Sequence, residues 1–300
     1  MDALCIDAAL LRQWPLPHPD ATRSKEDRGR VLVVAGSPTV PGAALLAGEA
    51  ALRAGAGKLQ MGVPDAIAPS LGLALPEAKV MPLPTSAEGA CGSTSALEEA
   101  CARSDAILIG PGMDDTGGVH ALTRRLAGLA GAAIIDAGAL GAFRQPHRCA
   151  SLPVLTPHAG EMAALIDRPL EDVHAQPAAV ARRFAESAGV ILVLKGPETW
   201  IAAPGGRLWR HTGGCSGLGT SGSGDVLGGL IAGLAARGAS PEQAAAWGVF
   251  LHGQAGEALA HAVGRVGFLA RELSREVPRL LDAFHADATA PDLAGEGSRT

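Results

Sequence analysis

Short, uninterrupted apolar runs that end in glycine, proline or a small polar residue set the architecture of this chain. Val31-Leu32-Val33-Val34-Ala35 ends in Gly36-Ser37, and Ala106-Ile107-Leu108-Ile109 ends in Gly110-Pro111-Gly112. Ala133-Ile134-Ile135 leads to Asp136-Ala137-Gly138, Val154-Leu155 to Thr156-Pro157-His158, and Val190-Ile191-Leu192-Val193-Leu194 to Lys195-Gly196. Leu59 to Val63 is a further strand candidate. Runs of this length without polar alternation are strands covered on both faces, the habit of parallel sheets. Helical stretches lie between them. Ala43 to Ala54 is closed by Gly55 and Gly57, and Gln176 to Ser187 carries Pro at its second position. Ser240-Pro241-Glu242-Gln243 combines an N-cap, a Pro at the first helical position and a capping-box Gln, opening a helix to about Ala260. Strand and helix alternating in this way predict a doubly wound α/β domain over residues 29–285. An N-terminal arm (1–28) and a flexible C-terminal tail (286–300) flank it. In such sheets ligands bind beyond the carboxyl ends of the strands, where the glycines stand.

Composition narrows the partners. The 300 residues include 40 Gly and 21 Pro, a level that can signal disorder, but 47% of the chain is hydrophobic, which argues against it. With five Phe, four Trp and no Tyr, the core must be aliphatic. A net charge of −5 gives no footprint for nucleic acid, and the densest basic cluster, Arg23 to Arg30, is interrupted by Glu26 and Asp27. The longest run of apolar residues and glycine, Val226 to Ala236, is far short of the about 20 residues a bilayer span needs. The N-terminus lacks the cationic start of a signal peptide. Five cysteines without a C-x-x-C pair fit buried thiols in a reducing cytoplasm better than disulfides or a zinc site.

Thr220-Ser221-Gly222-Ser223-Gly224-Asp225 is the most informative stretch: a glycine-rich loop opening the apolar helix that starts Val226-Leu227-Gly228-Gly229. Loop amides at a helix N-terminus form an anion site. Asp225 then has two readings, a dipole-favoured cap or a general base beside a phosphoryl group. Better-known motifs are absent. Gly57-Lys58 lacks a following Ser or Thr and lies before a strand, so it is no P-loop, and no G-x-S-x-G or H-E-x-x-H occurs.

Gly222-Ser223-Gly224-Asp225 resembles the anion-hole motif of the ribokinase-like superfamily, which ends in a catalytic Asp. Further segments narrow the resemblance. In chain order they are Ala35-Gly36-Ser37 with Pro41-Gly42-Ala43-Ala44, Gly110-Pro111-Gly112-Met113, Asp136-Ala137-Gly138, Thr156-Pro157-His158-Ala159-Gly160-Glu161, Leu194-Lys195-Gly196 and Leu251-His252-Gly253. Together, from about Arg28 to Pro278, they are similar to the ADP/ATP-dependent NAD(P)H-hydrate dehydratase family.

The resemblance implies a ribokinase-like three-layer αβα sandwich around a mostly parallel sheet. It implies a lyase that returns the S-epimer of NADH or NADPH hydrated at C6 to the intact cofactor. The hydroxyl is phosphorylated by ADP or ATP with Mg²⁺, and phosphate is then eliminated. On this pattern Asp225 is the base. Gly42, Ala43, Gly112 and His158 contact the hydrated cofactor. Lys195, Gly196, Pro197, Glu198 and Thr199, with Gly222, Ser223 and Gly224, bind the nucleotide. Glu161 reaches Mg²⁺ through water. Plainer readings stand beside these: a helix start at Gly42-Ala43, a tight turn at Gly112, a loop histidine at His158, a solvated lysine at Lys195 and a helix-start carboxylate at Glu161. Asp136 either helps bind substrate or caps a turn, and His252 reads as a core histidine.

Two departures from the pattern stand out. Cys215-Ser216 replaces the usual Asn-Pro beside the nucleotide, and Ala270-Arg271-Glu272-Leu273 lacks the common Asp, in a region expected to be peripheral to the chemistry. Many bacterial relatives carry a fused epimerase domain. The 28 residues before the first strand leave no room for one, so a separate epimerase is the expected functional partner, and the family pattern implies a homotetramer. A small-molecule kinase of the same superfamily and a non-catalytic nucleotide-binding regulator are the competing readings.

Overall fold

A computed structural model of the chain describes residues 3–17, 27–85, 91–145, 147 and 149–289. Ten strands form one sheet: β1 (Leu4–Cys5), β2 (Arg30–Val34), β3 (Lys58–Pro64), β4 (Ala78–Leu83), β5 (Ala106–Ile109), β6 (Ala133–Ile135), β7 (Val154–Leu155), β8 (Ile191–Leu194), β9 (Thr199–Ala202) and β10 (Leu208–His211). Their order is β1-β10-β9-β8-β7-β6-β5-β2-β3-β4. From β4 across to β8 every neighbouring pair is parallel, whereas β9 runs antiparallel to both β8 and β10. The chain builds β2, β3 and β4 toward one edge and β5 to β8 toward the other. The direction therefore switches between β2 and β5, where open α/β sheets place their ligands.

The helices are α1 (Ala8–Gln13), α2 (Gly42–Arg53), α3 (Ala68–Ala74), α4 (Ser95–Ala102), α5 (Gly117–Ala127), α6 (Ala159–Ile166), α7 (Leu170–Ala175), α8 (Pro177–Ala188), α9 (Ser223–Ala236), α10 (Pro241–Ala262) and α11 (Ala270–Thr289). Short 3-10 helices span Ala137–Phe143 and Ser216–Leu218. Strand alternation sends Val31, Val33 and Leu108 into one core with α2, α9 and α10. Leu32, Val34, Ile107 and Ile109 enter a second core with α4, α5, α6 and α8. The result is three layers, as the apolar runs require. With so few rings available, small residues let helices close on one another. A Cβ added at Gly229 would stand 2.2 Å from the Ala47 carbonyl oxygen, and one at Gly233 would stand 2.4 Å from that of Ala51.

The N-terminal segment docks onto the far edge of the sheet. β1 pairs with β10, Ile6 and Leu11 are buried, and Trp14 stacks on Trp209 with ring centroids 6.1 Å apart. Ser240 caps α10 by accepting from the Gln243 amide, as the sequence suggested. The Gln243 side chain, however, is not part of a capping box. It donates to the carbonyls of Trp14 and Pro15 at 3.2 and 2.7 Å and ties down the N-terminal segment. The first half of the basic cluster, residues 23–26, lies outside the described residues, as does the tail from residue 290. Helix α11 continues to Thr289. No described helix is long and apolar enough to cross a membrane.

Candidate active site

Gly222 makes the turn into α9. Its φ of 88° is a left-handed conformation that favours glycine, and a Cβ there would stand 2.5 Å from Leu46 Cδ1. The first-turn amides of α9 are thereby presented at the carboxyl edge of the sheet. Asp225 lies in this first turn, half-buried. Among the described residues no group hydrogen-bonds its carboxylate, so it is not a capping residue. Burial, then the charges of Asp136 and Glu161, push its pKa from 3.8 to about 6 against the pull of Lys195. A carboxylate without hydrogen bonds, titrating close to neutrality, suits proton abstraction.

Lys195 stands opposite, at the end of β8. Its amide donates to the Pro157 carbonyl at 2.8 Å, which pins it beside His158. Its Nζ donates to Asp136 Oδ1 at 3.0 Å and lies 3.7 Å from Glu161 Oε2, so it is no solvated strand-end lysine. Burial opposes its charge, but Asp136, Glu161 and Asp225 outweigh burial and raise its pKa. The Nζ also approaches the α9 turn: a Cβ on Gly224 would stand 3.3 Å from it. Asp136 is 2% exposed and accepts from the Thr156 hydroxyl at 2.7 Å. It opens a 3-10 helix but makes no capping bond; its side chain is turned to Lys195 instead. The residue after it, Ala137, takes φ 47°, a strained conformation at the edge of the cluster.

His158 and Glu161 form a reciprocal capping box at the start of α6. Nδ1 of His158 accepts from the Gly160 and Glu161 amides at 3.0 and 3.2 Å, and Glu161 Oε2 accepts from the His158 amide at 2.7 Å. The helix-start reading of Glu161 is thus realised, and its carboxylate also faces Lys195. The His158 ring remains 59% exposed at the carboxyl edge, with Nδ1 committed as an acceptor and its proton therefore on Nε2.

The remaining sequence candidates distribute around this cluster. Lys195, Gly196, Pro197 and Glu198 form the turn from β8 to β9, with Thr199 the first residue of β9. Glu198 lies 3.6 Å from Arg210. Gly42 starts α2 and faces open space, whereas Ala43 is buried. Gly112, at φ 67°, presses against the loop after β2; a Cβ there would meet Ala43 Cβ at 2.6 Å and the Val40 carbonyl at 2.8 Å. The space Gly112 clears is occupied by the protein itself. Hydrogen bonding of the Gly36 amide to the Pro111 carbonyl at 2.7 Å closes the two switch-point loops on each other.

Sequence reasoning missed three features. His252 is no isolated core residue: its Nε2 lies 2.9 Å from Ser223 Oγ. Glu257 accepts from the Gly214 amide at 2.7 Å, and Cys215 Sγ donates to the Gly256 carbonyl at 3.3 Å, so α10 clamps the loop before α9. Ala270, expected to be peripheral, borders the anion turn, since a Cβ on Gly222 would stand 3.2 Å from its own Cβ. None of these had a local sequence signal, because each joins residues of different elements.

Among the described residues, no group of three or more His, Cys, Asp or Glu is placed to hold a metal by itself. The site offers an amide turn for an anion, one ammonium and a near-neutral carboxylate. That inventory fits phosphoryl transfer to a hydroxyl.

A family model described as NAD(P)H-hydrate dehydratase matches residues 31–279. A curated protein of Xanthomonas campestris pv. campestris, named ADP-dependent (S)-NAD(P)H-hydrate dehydratase, is 50% identical over 282 residues, covering 92% of this chain and 96% of that protein. A bifunctional NAD(P)H-hydrate repair enzyme of Moorella thermoacetica is 37% identical, and the match covers 94% of this chain but only 54% of that protein. The crystal structure of the ADP/ATP-dependent NAD(P)H-hydrate dehydratase of Bacillus subtilis, co-crystallised with ATP/Mg²⁺, superposes with a TM-score of 0.83 at 32% identity, covering 95% of this chain and 99% of that one. Ribokinase of Thermotoga maritima shares the fold alone, with a TM-score of 0.53 at 15% identity over 85% of this chain and 99% of that one.

Proposed function

The chain belongs to the NAD(P)H-hydrate dehydratase family, and from that premise we propose that it returns the S-epimer of NAD(P)H hydrate to NAD(P)H at the expense of ADP. The observation that carries the reading is Asp225: a carboxylate without a hydrogen bond among the described residues, titrating at about 6, in the first turn of a glycine-capped helix. Asp225 takes the proton of the C6 hydroxyl as its oxygen attacks the terminal phosphoryl group. The amides of Gly222, Ser223 and Gly224 stabilise the charge on the transferring group, and AMP departs. Loss of phosphate from C6, with a proton from the neighbouring ring carbon, restores the double bond.

Lys195 holds the phosphate side of the site, with Gly196 to Thr199 along the nucleotide. The open face at Gly42 and the exposed His158 ring receive the hydrated cofactor, with the backbone of Ala43 and Gly112 behind them. Mg²⁺ bound to the nucleotide would neutralise phosphate charge. Glu161 suits contact with it through water, since one of its oxygens is committed to the cap and the other has no partner among the described residues. A separate epimerase as functional partner, a homotetrameric assembly, a cytoplasmic location and a catalytic domain over 29–285 belong to the same proposal. The bifunctional relatives support the pairing with an epimerase, and the family match over residues 31–279 supports the catalytic domain.

The direct test incubates the protein with S-NADHX and either ADP or ATP, following reduced-nicotinamide absorbance and free phosphate. Regeneration with release of phosphate is expected, fastest with ADP. Absence of regeneration with both nucleotides overturns the assignment. A stable phosphorylated alcohol in place of free phosphate would instead mark a kinase. Light scattering checks the tetramer.

A further inference from the structure

Ser223 is the first residue of α9 and is 4% exposed. His252, midway along α10, places Nε2 2.9 Å from Ser223 Oγ and 3.0 Å from the Ser223 carbonyl oxygen. A backbone carbonyl only accepts, so a contact of 3.0 Å requires a proton on Nε2. The hydroxyl oxygen at 2.9 Å then shares that same N–H as a second acceptor. Among the described residues no other group hydrogen-bonds Ser223 Oγ. Its own hydrogen is therefore left for a ligand above the Gly222–Asp225 turn. A histidine accepting at Nε2 would instead consume that hydrogen.

The charge state agrees with this arrangement. Burial, followed by the facing charges of Lys195 and His211, lowers the His252 pKa to about 4 against the bond to Ser223. The ring is neutral at working pH and carries a single proton. His211 is held by the Ile6 carbonyl through Nδ1 at 2.9 Å, and among the described residues Nε2 of His252 bonds to Ser223 alone.

We propose that His252 is a positioning residue for the phosphoryl-transfer step: it donates to Ser223 so that the Ser223 hydroxyl hydrogen is aimed at the transferring phosphoryl group. The inference deepens the dehydratase reading and rests on the Gly222–Asp225 turn as the phosphoryl site.

The test is a double-mutant cycle of Ser223→Ala and His252→Leu, with His252→Gln as the variant that keeps an N–H donor. Loss of a donor to developing phosphoryl charge is expected to lower kcat about 10²-fold in Ser223→Ala. Misdirecting the hydroxyl in His252→Leu should lower kcat about tenfold or more, with KM for the hydrate within about twofold of the wild type. The double variant should be no slower than Ser223→Ala, and His252→Gln should recover most of the rate. Losses that multiply in the double variant overturn the proposal, as does a His252→Gln variant as slow as His252→Leu. A matched rise in KM with kcat unchanged also overturns it. The same cycle run on ADP and ATP affinity by calorimetry separates this inference from the reading beneath it. If the wild type shows no dehydratase turnover, non-additive affinity losses still support the His252–Ser223 pair and additive losses reject it.

Discussion

Asp225 shows what the residue scale adds. Its position in a glycine-rich helix start was legible in the sequence, but its role was not, because a cap and a base occupy the same position. The carboxylate, unshared among the described residues, and its pKa of about 6 favour the proposed base. A base must be ionised, so kcat should fall about tenfold per pH unit below about 6. Asp225→Asn should remove at least about 10²-fold of kcat while nucleotide affinity measured by calorimetry stays close to the wild type; an active variant would remove Asp225 as base. A second consequence concerns stability. The folded pKa lies above the unfolded 3.8, so the folded state binds more protons between those values. The ionised carboxylate therefore costs stability in full above about 6, and the cost disappears below about 4. Asp225→Asn should raise stability near pH 8 by about 1–3 kcal/mol, a gain that shrinks on acidification. Melting curves at several pH values check this, and a gain independent of pH would show that the shift has another origin. Asp136 and Lys195 were visible as strand-end residues, but their pairing across 59 positions was not.

Helix α9 carries the site at the element scale, and its placement depends on which glycines face α2. Every residue from Val226 to Ala236 is buried, so the sequence has no polar stripe from which to read the helix's orientation. The structure supplies it. A Cβ on Gly229 would meet the backbone of Ala47 at 2.2 Å, which cannot yield without moving a helix. A Cβ on Gly228 would meet side chains rather than backbone, Leu108 Cδ1 at 3.2 Å and Asp136 Oδ2 at 4.0 Å. Gly229→Ala should therefore cost about 1–3 kcal/mol or more through overpacking and lower kcat, because Asp225 lies one turn away on the same helix. Gly228→Ala should be the milder change in both urea unfolding and turnover. Equal effects from the two substitutions would show that α2 and α9 can separate freely. The same contrast explains the glycine excess. Eight of the 40 glycines fall between Gly213 and Gly229, where they serve the anion turn and helix contact rather than disorder.

The sheet shows at the scale of the whole molecule where reading along the chain succeeds and where it stops. Strands β2, β5, β6, β7 and β8 are central and buried on both faces, so each is an uninterrupted apolar run and was legible as a parallel strand. β4 and β10 keep exposed positions, β9 is only half-buried at Thr199 and Trp200, and β1 has two exposed residues, so none of them produced such a run. The first 28 residues read as an arm for the same reason: Ile6, Leu11 and Trp14 are apolar residues scattered among polar and proline positions. Their partners lie about two hundred residues away. The Ile6 amide donates to the Arg210 carbonyl at 2.8 Å, the Ile6 carbonyl bonds His211, and Trp247 donates to the Trp14 carbonyl at 2.9 Å. Fully burying Ile6 and Leu11 contributes about 1.5–3 kcal/mol each before the hydrogen bonds are counted. Removing residues 1–17 should then cost several kcal/mol, a fall in melting temperature of roughly 10 °C for a domain of this size. The truncated chain also loses the carbonyl that fixes His211 against Gly213, in the loop leading to α9, and against Gly253 of α10. Its KM for the nucleotide should rise at temperatures where it remains folded. A truncated protein melting within about 2 °C of the full chain, with unchanged nucleotide KM, would show that this segment is an accessory to the sheet rather than part of it.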